Sequence, residues 1–126
     1  MEWNEVSPLA FAFLGDAVYS MYVRSYVVSR KNAKPNLLQR EAVSYERAGA
    51  QAEAAEKLLP SLSEEEAEMY RRGRNANPKT MAKHATMADY RKATGLEALI
   101  GYLHFRGREE RIRELMAMIL EDEGHE

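Results

Sequence analysis

The sequence predicts an all-α fold, and three observations carry that prediction. Apolar residues recur at helical spacing, as Tyr19, Tyr22 and Tyr26 do along the first long segment. Helix start and stop signals punctuate the chain at Ser7-Pro8, Lys34-Pro35-Asn36, Pro60, Ser61 to Glu66 and Gly107. No run of alternating β-branched residues is long enough to build a sheet.

Taken in order, Ser7 is an N-cap and Pro8 a first helical residue, because proline's missing N–H costs nothing there. Leu9 to about Ser29 then reads as a helix too continuously apolar to face water all round. Lys34-Pro35-Asn36 breaks it. A second helical stretch, Leu37 to Leu59, is rich in Ala, Glu and Gln, with interruptions expected near Ser44 or Gly49, and Pro60 ends it. Ser61 with Glu64 and Ser63 with Glu66 both fit a capping box, in which hydroxyl and carboxylate satisfy each other's free backbone N–H groups. They open a helix expected to run to about Arg72. Gly73 to Pro78 reads as a polar, basic loop with turn chemistry. Helices are expected over Met87 to Phe105 and, past Gly107, over Glu109 to Leu120, with Met116, Met118 and Ile119 in the core.

With 126 residues, one compact domain over 1–126 is expected. The start MEWNEVSP is acidic and lacks an apolar stretch, so no signal peptide is expected, and no apolar run has the length of a membrane span. The absence of cysteine excludes disulfides and thiolate zinc sites and suits a cytoplasmic location. The net charge of −2 hides a segregation. Arg71, Arg72, Arg74, Lys79, Lys83, Arg91 and Lys92 face one acid, Asp89, in their stretch, while acids gather in Glu64 to Glu68 and Glu121 to Glu126. Such segregation builds a local positive surface, or simply solvated helix faces.

Two carboxylates stand in apolar surroundings. In FAFLGDAVY, residues 11 to 19, Asp16 follows Gly15; in ATGLEALIGYL, residues 93 to 103, Glu97 lies between Gly95 and Gly101. Helical neighbours sit three and four positions away, which gives Asp16 the neighbours Ala12, Phe13, Tyr19 and Ser20, and Glu97 the neighbours Ala93, Thr94, Ile100 and Gly101. Both faces carry small residues that let two backbones approach. The acids are therefore expected to face each other across a helix pair. A carboxylate pair without a basic partner is a hard-cation site, most simply for Mg²⁺. Pairing with Arg24 or Arg91, or capping of another helix, is the structural alternative.

FLGDAV at Phe13 to Val18, followed by LEALIGYLH at Leu96 to His104, resembles the catalytic domain of the ribonuclease III family. YRRGRNAN at Tyr70 to Asn77 and DYRKATGLEALIGYL at Asp89 to Leu103 are similar to its Mini-III branch, which lacks the appended double-stranded-RNA-binding domain. The resemblance implies a helical homodimer that cleaves both strands of double-stranded RNA with Mg²⁺, Mn²⁺ being able to substitute, and leaves 5′-phosphate and 3′-hydroxyl ends. It implies that Asp16 and Glu97 are the catalytic metal ligands and that Phe13 packs across the dimer interface. In the cell it implies maturation of precursor ribosomal RNA, at a stem around the large-subunit (23S) RNA. The family signature has two further glutamates where this chain has Leu9 and Ala12, and an acid where it has Thr94. Water, an RNA phosphate oxygen and the Thr94 hydroxyl are left to complete the metal's surroundings.

Arg71, Arg72, Arg74, Asn75, Lys79 and Lys83 are the candidate RNA contacts, the cations neutralising phosphates and Asn75 and Asn77 reaching sugar hydroxyls or base edges. None of the histidines is placed as a catalytic base: His84 lies in the basic stretch, His104 on the Glu97 face and His125 in the tail. The remaining alternatives are a catalytically silent module that holds structured RNA, and an all-α dimerisation protein with structural acids.

Overall fold

The computed structural model describes residues 1–76 and 86–121. Six helices account for most of them: α1 Pro8–Arg30, α2 Pro35–Glu46, α3 Ala48–Leu58, α4 Glu64–Asn75, α5 Met87–Phe105 and α6 Glu109–Leu120. Single 3₁₀ turns at Trp3–Glu5 and Leu59–Ser61 complete the order, and no strand occurs among the described residues. The expected all-α class holds. No described helix is long and apolar enough to cross a membrane.

α5 is the central rod. Every residue from Ala93 to Leu103 except Glu97 is buried, so the helix is enclosed on all sides rather than amphipathic. α1 packs along it most extensively, with α4 and α3 on its other flanks. The two α1–α5 glycines make the closest approach possible. A Cβ on Gly15 would lie 1.8 Å from the Glu97 carbonyl oxygen, and one on Gly101 would lie 1.9 Å from the Phe11 carbonyl oxygen. Only hydrogen fits at either position.

Local chemistry sets most of the ends. Ser7 accepts from the Ala10 N–H at 3.1 Å, with Pro8 opening α1. The Ser63–Glu66 capping box is reciprocal, at 3.2 and 2.9 Å, and opens α4. Thr86 caps α5, and Gly107 takes the left-handed conformation, φ 74°, that turns the chain into α6.

Two boundaries differ from the sequence expectation. The Leu37–Leu59 stretch breaks at Arg47, between the two expected positions, and restarts as α3. α4 does not end near Arg72 but runs to Asn75. Gly73 is not a stop signal: a Cβ there would come within 2.5 Å of Ala98 Cβ, so its role is a close crossing with α5. Arg71, Arg72, Arg74 and Asn75 therefore stand on the last turns of a helix, not in a loop. Lys79, Lys83, Asn77, His84 and His125 lie outside the described residues.

Candidate active site

Asp16 follows Gly15 on α1, and Glu97 is the residue whose carbonyl Gly15 touches, so the close crossing delivers both carboxyls to one place. Their carboxyls are near enough for Asp16 to act directly on the ionisation of Glu97. Asp16, however, is exposed, and only Glu97 is half-buried. The expectation that both acids sit in an apolar interior is corrected here. α1 carries a solvent-facing apolar stripe, Leu9, Phe13 and Met21, and Asp16 borders it.

Glu97 has the more perturbed environment. Burial first, then neighbouring Asp16, push its pKa up to about 8, and Glu46 adds to the repulsion. The side-chain amide of Gln51 on α3 acts in the opposite direction, favouring the charged form. None of these partners is cationic, and Arg24 is turned instead toward Gln39, 3.4 Å away. The buried Tyr19 hydroxyl has no hydrogen-bond partner among the described residues, and burial, Glu46 and Glu97 all push its pKa up.

Two adjacent oxygen donors that repel each other for want of positive charge fit a hard divalent cation, Mg²⁺ or Mn²⁺. Asp16 and Glu97 are the residues that would hold it. Among the described residues no third acid or histidine joins them in a metal-holding group, Glu46 acting on Glu97 only through its charge. Thr94 is buried and its hydroxyl donates to the Tyr90 carbonyl at 2.9 Å, one turn back along α5.

The basic residues cluster at one end of the central rod. Arg72 is exposed, Arg71 is paired with Glu68, and Arg74 lies 5.7 Å from the Tyr70 ring centroid with its Nε donating to Asn75 Oδ1 at 3.2 Å. Arg74 and Asn75 line a hollow between α4 and α5 together with Met87, Ala88, Arg91 and Lys92. Lys92 is tethered to Glu56 at 2.9 Å. His104 pairs with Glu109, which also accepts from Tyr22 at 3.0 Å, so it ties α5 to the start of α6.

Sequence reasoning missed Gln51 and Glu46 at this site. Gln51 shares a helical stripe with Ala54, Ala55 and Leu58, and that spacing marks a polar residue on a buried face. No comparable signal exists for Glu46, at the end of α2.

An all-helical domain in which two helices cross at glycine and present paired carboxyls is the arrangement to compare with known proteins. The Ribonuclease III domain matches residues 9–108. The chain is 46% identical over 113 residues to Mini-ribonuclease 3 of Thermoanaerobacter sp. strain X514, covering 90% of this chain and 80% of that one. It is also 46% identical over 117 residues to Mini-ribonuclease 3 of Enterococcus faecalis, covering 91% and 89%. The crystal structure of protein FN1578 from Fusobacterium nucleatum superimposes with a TM-score of 0.86 at 29% identity, over 92% of this chain and 94% of that one. The chain belongs to the ribonuclease III family of endoribonucleases, in the branch whose members carry the name Mini-ribonuclease 3.

Proposed function

We propose that the protein is a single-domain, homodimeric endoribonuclease that hydrolyses double-stranded RNA with Mg²⁺ held between Asp16 and Glu97. The observation that carries this reading is the pair of adjacent carboxyls at the α1–α5 crossing, with no cationic partner among the described residues. When bound, the metal would supply an activated water and stabilise charge on the leaving oxygen. The protein's own part is to hold the two carboxyls together on rigid helices and to keep protein cations away from them. Mn²⁺, with similar oxygen preference, would substitute.

Arg71, Arg72, Arg74 and Asn75, with Lys79 and Lys83 beyond the described residues, would track phosphates and sugars of the duplex. Arg91, beside Arg74 in the hollow, joins that set. The apolar stripe of Leu9, Phe13 and Met21, with Phe13 84% exposed, supports a dimer contact through α1. A dimer would set one carboxyl pair against each strand. The cellular substrate we propose is precursor 23S ribosomal RNA, in the cytoplasm.

The test is digestion of a long RNA duplex by the purified protein in Mg²⁺ and in EDTA, beside Asp16→Ala. Cleavage that requires Mg²⁺ and disappears in the variant, with single-stranded RNA and duplex DNA untouched, is the expected result. Wild-type protein that binds the duplex but never cuts it in any divalent ion would leave a silent RNA-binding module in its place.

A further inference from the structure

Around the hollow between α4 and α5 the cations are held in different ways. Arg74 and Asn75 line it from α4, and Met87, Ala88, Arg91 and Lys92 line it from α5. The Arg74 guanidinium is fixed in place, 5.7 Å from the Tyr70 ring centroid, with its Nε donating to Asn75 Oδ1 at 3.2 Å. Among the described residues, Lys92 is the one cation of the hollow that an acid holds: its Nζ lies 2.9 Å from Glu56 Oε2 on α3. Asp89, the acid nearest in sequence, does not line the hollow. Its Oδ2 lies toward Gly49, 3.8 Å from where a Cβ on that glycine would stand.

A lysine bridged to a glutamate at the surface is weakly held. The two side chains are 35% and 53% exposed, and such pairs are screened by salt and lose side-chain freedom in forming. The ammonium rides on a flexible four-carbon stem, so it can turn from one oxygen to another while α5 stays still. An RNA duplex presents negative charge far more densely than one carboxylate does. Each phosphate neutralised also releases condensed counterions, a gain that Glu56 does not offer.

We propose that Lys92 is a further RNA-contacting residue and that Glu56 limits its use: a backbone phosphate entering the hollow beside Arg74 and Arg91 takes the ammonium over from Glu56. Binding then requires the bridge to break. Glu56 therefore lowers the affinity for RNA, and it does so through Lys92. This rests on the reading of this face as the duplex-binding surface.

The experiment is fluorescence anisotropy of a labelled RNA duplex in EDTA, at several salt concentrations, with wild type, Glu56→Gln, Lys92→Gln and the double variant. All four are expected to keep the wild-type helical circular dichroism, because both side chains stand at the surface. Lys92→Gln is expected to lower the slope of log affinity against log salt by about one. Glu56→Gln is expected to tighten binding by roughly two- to five-fold, the scale of a surface ion pair. Added to Lys92→Gln, the same change is expected to leave the affinity as it was. An equal gain from Glu56→Gln with and without Lys92 would show plain repulsion between Glu56 and RNA, and would overturn the inference. An unchanged salt slope in Lys92→Gln would overturn it too, because Lys92 would then meet no phosphate. Unfolding of either single variant would make the pair a strut between α3 and α5, and the inference would again fail. Wild type that does not bind the duplex at any salt concentration would remove the duplex-binding reading itself, and this proposal with it.

Discussion

Glu66 and Glu97 are both glutamates drawn into this small helical protein, and their surroundings are opposites. At the α4–α6 contact, burial works against the Glu66 charge, yet hydrogen bonds from Arg111 and the Ser63 N–H, with the Arg111 charge, hold its pKa below the usual value. Arg111 also donates to the Ser61 carbonyl at 2.9 Å, so the ion pair ties the turn before α4 to α6. At the α1–α5 crossing, Glu97 meets burial, a second acid and a neutral amide, and its pKa rises to about 8. One carboxylate has its cation; the other has none among the described residues. That difference is why Glu66 reads as a residue that holds the fold together and why the bound cation is proposed at Glu97.

Exchanging each carboxyl for an amide breaks the comparison most directly. Glu97→Gln and Asp16→Asn are expected to lower the rate of duplex cleavage by roughly 10²- to 10³-fold or more, in proportion to the transition-state stabilisation lost with a major electrostatic group. Neither should reduce the melting temperature, because each relieves a repulsion. Glu66→Gln should do the reverse, costing about 3 kcal/mol of stability, the lower end for a broken buried pair, while cleavage by the folded fraction is retained. Denaturant unfolding alongside single-turnover cleavage checks both halves.

Gly15→Ala tests the crossing itself. A methyl group 1.8 Å from a carbonyl oxygen must push α1 off α5, at a cost of roughly 1 to 3 kcal/mol or more, and separate the two carboxyls. Thermal melts should fall and cleavage should fall further than the loss of folded protein explains.

The pH dependence sharpens the contrast. Unfolded, Glu97 loses its proton near the ordinary 4.5; folded, it keeps it up to about 8. Between those values the native state binds the extra proton, so this group's contribution makes stability fall as pH rises through the window. Metal-free wild-type protein should therefore lose more stability from pH 5 to 9 than Glu97→Gln does. Mg²⁺ should restore it most above pH 8, where no proton competes. Differential scanning calorimetry across that range gives the answer.

The smallest expected effect belongs to the basic end of the rod. Arg72→Ala should weaken duplex binding uniformly across sequences and lower the slope of log affinity against log salt by about one. Fluorescence anisotropy at several salt concentrations measures that slope.

Much of this was legible in the sequence. Met87–Phe105 and Glu109–Leu120 have the expected limits, because Gly107 adopts a conformation that few other residues take. The pairing of Asp16 with Glu97 followed from the small residues on both helix faces. What misled was reading apolar neighbours as burial. Phe13 and Met21 are exposed, and Asp16 stands in water beside them, so an apolar helix can carry its stripe outward. Gly73 misled for a related reason: a glycine can end a helix or admit a neighbour, and only the position of α5 decides which. The burial of Gln51 was readable from its stripe with Ala54, Ala55 and Leu58, but its nearness to Glu97 was not, because Glu97 lies on another helix, far along the chain.

Whether Asp16 and Glu97 are brought together to share a cation is read most directly from an anomalous difference map of crystals grown with Mn²⁺. One strong peak within coordination distance of both carboxyls is the expected result. A map with no peak there, and an arginine or lysine side chain seated between the two acids instead, would contradict it.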